Sequence, residues 1–175
     1  MKLDEIKNLD SDEEQALLHY LKDSFWYNLS LRSRAKQPLS DVQAQRIGVL
    51  DKAFLKAPPC GAMTLYRAIG RNVIEMNEWV VGSTFVDKGY VSTSSVKSLV
   101  NNPGYVHPED RVVVTIAVPA GITIIDVYDT VRQMESAPAK AKALAESEKE
   151  FLLPRNLEFK ITSLSHKAMS VKVLK

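Results

Sequence analysis

Apolar residues recur at helical spacing in the N-terminal part of the chain and at strand spacing further on. Ser11-Asp12-Glu13-Glu14 has the form of a capping box, and Ala16, Leu17, Tyr20 and Leu21 follow on one helical face. Asp23 and Ser24 break or kink this helix before Phe25-Trp26-Tyr27-Asn28-Leu29-Ser30-Leu31-Arg32, and Pro38 closes it. Ser40-Asp41-Val42-Gln43 is a second capping box. Ile47, Leu50 and Phe54 behind it carry a helix to about Ala57. Pro58-Pro59-Cys60-Gly61 is a loop.

The texture then changes. Residues 63–69 read as a strand with mixed faces, and 72–81 as a short helix. Residues 83–86 and 90–94 are strand-like and joined through the turn signal Asp87-Lys88-Gly89. Residues 95–100 suit one or two helical turns, and 101–104 a loop. The nearly continuous β-branched run 111–118 predicts a buried strand, turned by Pro119-Ala120-Gly121 into another at 122–127. The Ala- and Pro-rich stretch 134–142 reads as an exposed loop with a helical turn. Residues 151–153, 157–164 and 169–174 are the last strands. Helices first and strands later predict a single α+β domain over 1–175 with antiparallel sheets.

Composition narrows the function classes. Of 175 residues, 45% are hydrophobic and 25% charged, a globular balance that opposes disorder. A net charge of +2 is too small to make nucleic acid or acidic membrane the main partner. The lone Cys60 cannot form an internal disulfide, which fits a reducing compartment. His19, His107 and His166 have no ligand-like spacing, so no metal is expected. The start Met1-Lys2-Leu3-Asp4-Glu5 lacks the apolar core of a signal peptide, and no stretch reaches membrane length. A cytoplasmic protein is expected.

Three polar features stand out on the strands. Arg67 lies inside an apolar strand, where arginines usually snorkel to a surface. Ser92-Thr93-Ser94 puts two hydroxyls on one face and one on the other; such runs usually bond their own backbone or cross-strand neighbours. Glu148-Lys149-Glu150-Phe151-Leu152-Leu153-Pro154-Arg155 sets two carboxylates at i and i+2 before an apolar run. Strand alternation would point both to one face, where like charge raises their proton affinity.

Together and in this order, these features resemble the arginine-serine-glutamate class of mono-ADP-ribosyltransferases, found among bacterial exoenzyme toxins and phage-encoded modifiers. Leu65-Tyr66-Arg67 matches the aromatic-arginine strand, Phe85 through Ser94 the Ser-Thr-Ser strand, and Glu148-Lys149-Glu150 the Glu-x-Glu element. Pro119-Ala120-Gly121 and residues 157–161 also fit, so the likeness covers about residues 20–165. It implies N-terminal helices, two roughly perpendicular antiparallel sheets, and NAD in the cleft between them. NAD is the substrate and no metal is needed. The implied catalytic set is Arg67, Ser92, Glu148 and Glu150. Glu150 would stabilise the oxocarbenium-like ribose as nicotinamide leaves, Ser92 would hold Glu150, and Arg67 would pair with the NAD phosphates. Glu148 would orient and deprotonate an acceptor arginine. Asn28, Arg67, Ala68, Ser92 and Tyr105 are the implied NAD contacts. Arg32 reads as a structural partner for a carboxylate or carbonyl.

One departure concerns the segment Lys140-Ala141-Lys142-Ala143-Leu144-Ala145, which lacks the aromatic that relatives often carry before Glu-x-Glu. The function that results is transfer of ADP-ribose from NAD to arginine side chains of a host protein. The protein would be a monomer in the host cytoplasm, phage-encoded or injected. The alternatives are an NAD glycohydrolase, and an inactive binding or virion module that kept the fold.

Overall fold

A computed structural model describes residues 9–32, 38–101 and 106–175. Two helices lead, α1 (Ser11–Leu31) and α2 (Asp41–Lys56). The cap of α1 is Asp10, one residue before the predicted box. Its carboxylate accepts from the Glu13 amide at 2.9 Å, and its own amide donates to Glu13 Oε2 at 3.0 Å. A kink falls at Asp23 (φ −122°, ψ 25°), as the Asp-Ser pair predicted. In α2 the Ser40/Gln43 capping box forms as read, and the helix ends one residue before Ala57.

Eight strands follow: β1 (Met63–Gly70), β2 (Thr84–Asp87), β3 (Val91–Ser94), β4 (Arg111–Val118), β5 (Ile125–Asp126), β6 (Glu150–Leu153), β7 (Leu157–Leu164) and β8 (Ala168–Val173). Between them lie α3 (Arg71–Met76), a 3-10 turn (Lys97–Asn101), α4 (Val127–Gln133) and α5 (Ala139–Glu148). The strands hydrogen-bond in the order β2-β7-β8-β4-β1-β3-β6-β5. One residue pair, Tyr66 with Ser94, joins β1 to β3. That narrow joint divides the sheet into a five-stranded and a three-stranded part.

The pairing departs from the sequence reading at three places. β4 and β8 run parallel, because the chain crosses the whole three-stranded part before the β7–β8 hairpin brings it back. β2 and β3 do not pair with each other: β2 lies at the sheet edge on β7, and β3 between β1 and β6. The strand expected over 122–127 shrinks to β5, because the Asp126 carboxylate caps α4 by accepting from the Asp129 amide at 3.0 Å.

The stretch 134–142 is not a loop with one turn. It opens α5, whose Ala141 and Ala145 pack inward. Alanine is the best helix former but gives little periodic contrast, which hid the element. β4 buries Val112, Val114, Ile116 and Val118, so only one of its faces is fully covered.

Two cores result. One lies against the five-stranded part around Leu65, Val114, Ile116, Phe159 and Val171, and also takes Val91 and Leu153 from β3 and β6. The other joins α1, α2, α4 and α5 to the far face of β6 through Leu17, Tyr20, Leu50, Tyr90 and Leu152. Asp51 ties α2 across this second core: it takes Arg155 Nε and Nη2 at 3.0 and 2.7 Å and the buried Tyr90 hydroxyl at 2.6 Å.

Candidate active site

Glu148 and Glu150 do not share a strand. Glu148 is the last residue of α5, and Glu150 the first of β6. Lys149 between them takes the left-handed conformation (φ 44°, ψ 51°), and that hinge, rather than strand alternation, brings the two carboxylates into each other's field. Burial pushes Glu150 up to about 7. The Ser92 hydroxyl, donating to it, pulls the other way, and the Glu148 charge adds to the rise. The raised carboxyl is therefore Glu150, and burial outweighs its acidic neighbour.

β3 holds this arrangement along its length. Ser92 is exposed and reaches Glu150. Thr93 is buried and points the other way, donating to the Phe151 carbonyl at 2.6 Å. Ser94 pairs directly with Glu150 across the ladder, and its hydroxyl accepts the Val96 amide at 3.1 Å. Two of the three hydroxyls thus secure backbone and one addresses the carboxylate.

Arg67 is partly buried on β1, next to Tyr66 at the joint with β3. Burial and the nearby Glu150 charge raise the buried Tyr20 hydroxyl, while Arg32 and Arg67 pull it down. Glu150, Arg32 and Arg67 thus lie within electrostatic reach of one phenol. Sequence periodicity marked Tyr20 only as core.

Asn28 is buried with its amide engaged inside the protein: it donates to Tyr20 Oη at 2.7 Å and accepts the Tyr90 amide at 2.9 Å. These bonds pin α1 to the start of β3. Arg32 is a structural partner, as read. Asp87 takes its Nε at 2.7 Å and Nη2 at 3.0 Å, and the Tyr90 carbonyl takes Nη2 at 3.0 Å. Ala68 sits on β1 opposite Val113. Tyr105 lies outside the described residues.

Gly89 is where this packing tolerates no side chain. A Cβ there would stand 2.8 Å from Asn28 Oδ1 and 2.9 Å from Arg32 Nε, both locked by the bonds above. Gly89→Ala is expected to cost about 1–3 kcal/mol, seen as a lower denaturant midpoint at unchanged slope. An unchanged midpoint would mean that these side chains yield freely.

A cavity of about 260 Å³ adjoins the joint. Arg67 lines it; Ser92, Glu148 and Glu150 do not. Among the described residues no helix is long and apolar enough to cross a membrane, and no group of three or more His, Cys, Asp or Glu could hold a metal ion.

A family model described as ADP-ribosyltransferase exoenzyme matches residues 2–173. The chain belongs to that family. Its fold agrees with solved members. The C3 exoenzyme of Clostridium limosum superposes with a TM-score of 0.69 at 18% identity, covering 98% of this chain and 88% of that one. C3stau2 from S. aureus, solved with NAD, gives 0.70 at 19%, covering 97% and 89%. The ADP-ribosyltransferase Vis of Vibrio splendidus, solved in complex with agmatine, gives 0.69 at 19%, covering 98% and 78%. At these identities the likeness concerns the fold. No curated protein matches the sequence. The chain is thus an NAD-dependent ADP-ribosyltransferase of the exoenzyme family, with N-terminal helices and a jointed sheet.

Proposed function

We propose that this ADP-ribosyltransferase moves ADP-ribose from NAD to the guanidinium of an arginine side chain on a protein of a host cell. The observation that carries the reading is the pair at the α5–β6 hinge: a buried Glu150 bonded by Ser92, with Glu148 beside it. In the reaction, the bond between nicotinamide nitrogen and ribose C1 breaks, and its electrons leave with the ring. A guanidine nitrogen then bonds to C1 and gives up one proton. Glu150 accepts a hydrogen bond from a ribose hydroxyl and sets negative charge near the cationic C1. Arg67 has the planar fork that suits the pyrophosphate. Glu148 binds the acceptor guanidinium and receives its proton. The ADP-ribosyltransferase Vis, similar in fold, is solved in complex with agmatine, a small guanidine.

Glu150 must be ionised to act. kcat/KM for NAD should fall about tenfold per pH unit below about 7. Ser92 donates to that carboxylate and favours its charged form, so Ser92→Ala should move the acid limb to higher pH. A limb at the same pH in Ser92→Ala would remove Ser92 from this role. The whole reading is tested by incubating the protein with NAD and an arginine-bearing protein. It requires mass added to arginine, and nicotinamide release without any adduct would favour hydrolysis.

A further inference from the structure

β3 and β6 carry Ser92 and Glu150, and little backbone ties these two strands to their neighbours. β3 meets β1 through the pair Tyr66–Ser94, and β6 meets β5 through Ile125–Leu152 and Asp126–Phe151. Between themselves they pair from Ser94 with Glu150 to Val91 with Leu153. Pro154 comes next and has no amide hydrogen, so it cannot donate a further ladder bond. Tyr90 and Arg155 flank this open end, and one carboxylate on α2 holds both. Asp51 Oδ1 accepts the Tyr90 hydroxyl at 2.6 Å, and Asp51 Oδ2 accepts Arg155 Nε at 3.0 Å and Nη2 at 2.7 Å. Burial, and after it the bond to Asp51, raises the Tyr90 hydroxyl, which stays protonated and serves as the donor. Asp51 does not line the cavity beside the joint.

We infer that Asp51 is a positioning residue for the transfer reaction: by holding Tyr90 and Arg155 together, it keeps β3 placed on β6 so that the Ser92 hydroxyl meets the Glu150 carboxylate. The inference rests on the roles proposed for Ser92 and Glu150. Placement matters because side chains alternate between the faces of a strand. Ser92 addresses Glu150, while its neighbour Thr93 turns away to the Phe151 carbonyl. Tyr90 lies just upstream of Ser92 and is fixed at three points. Its amide donates to Asn28 Oδ1 at 2.9 Å, its carbonyl accepts from Arg32 Nη2 at 3.0 Å, and its hydroxyl donates to Asp51. The first two bonds tie β3 to α1, and the third reaches the end of β6 through Arg155. Ser92 and Glu148 act on Glu150, and Glu150 acts in turn on Tyr20; Asp51 is not in this group. Any influence of Asp51 on Glu150 then travels through strand position.

The sign of the effect separates position from charge. Loss of a hydroxyl that donates to the charged form raises a carboxyl, whereas loss of a nearby negative charge lowers it. Asp51→Ala should slow nicotinamide release by about 10–100-fold in kcat, the scale of a small misplacement of reacting groups, with KM for NAD within about twofold. The Glu150 titration should move to higher pH by about 0.5–1 pH unit. Carboxyl NMR of glutamate-labelled protein reads it directly, the Glu150 signal being the one lost in Glu150→Gln, and the acid limb of kcat/KM reads it in turnover. In Ser92→Ala protein, adding Asp51→Ala should move it no further. Tyr90→Phe removes one hydroxyl from the same tie, should move the titration in the same direction, and serves if Asp51→Ala does not fold. Lys56→Ala breaks another ion pair of α2, to Glu13 at 2.7 Å, and should lower the thermal midpoint while leaving the titration in place. An unmoved or lowered titration in the folded Asp51 or Tyr90 variant, a displacement that adds fully to that of Ser92→Ala, or an equal one in Lys56→Ala overturns the inference and leaves the transferase reading standing. The expected displacement in a protein that never cleaves NAD upholds the tie and overturns the transferase reading.

Discussion

Glu150→Gln is expected to slow nicotinamide release from NAD by about 10²–10³-fold, the usual loss when one preorganised electrostatic group is removed. The same substitution should make the protein more stable at alkaline pH. Folded Glu150 titrates at about 7, above the ordinary Glu value near about 4.3 in an unfolded chain. A raised carboxyl favours folding below its unfolded value, and that contribution disappears as pH climbs through 7. Above 7 the buried charge costs on the order of 3 kcal/mol. Glutamine keeps the shape without the charge. Thermal unfolding at pH 8.5 should therefore shift upward by roughly 5–10 °C, with little shift at pH 5. Equal gains at both pH values would mean that the carboxylate is not destabilised by burial. Slower turnover together with a gain in alkaline stability in Glu150→Gln would mark a site optimised for reaction rather than folding.

The second large effect belongs to Glu148. Glu148→Gln should lower transfer to a guanidine acceptor by about 10²–10⁴-fold, the range for losing a general base, while water-dependent nicotinamide release falls far less. The separation follows from the hinge. Glu148 ends a helix and Glu150 begins a strand, so the side chain proposed for the acceptor and the one proposed for ribose belong to different elements. Product analysis by chromatography reads both rates from one reaction. Parallel loss of the two would assign Glu148 to NAD cleavage itself.

Much of this was legible in the residues. The Ser40/Gln43 box, the Asp23 kink, β1, β4 and β7 were readable because caps, breakers and β-branched runs act locally. Ser92 on Glu150 was implied by the family resemblance and is present as a bond. What escaped depends on long-range pairing or on weak contrast. The separation of β2 from β3 is fixed by β7 and β6, far along the chain. The alanine-rich face of α5 gave no stripe to follow, so the Glu148–Glu150 pair was assigned to a strand. Asn28 and Tyr20 look like surface and core positions in α1; their bond to each other shows only in three dimensions.

The most direct measurement is mass spectrometry of the products formed from NAD and agmatine, the simplest soluble guanidine. The wild-type protein should yield ADP-ribosyl-agmatine and free nicotinamide in equal amounts. Intact NAD after prolonged incubation with active, folded protein would contradict the transferase reading at its root.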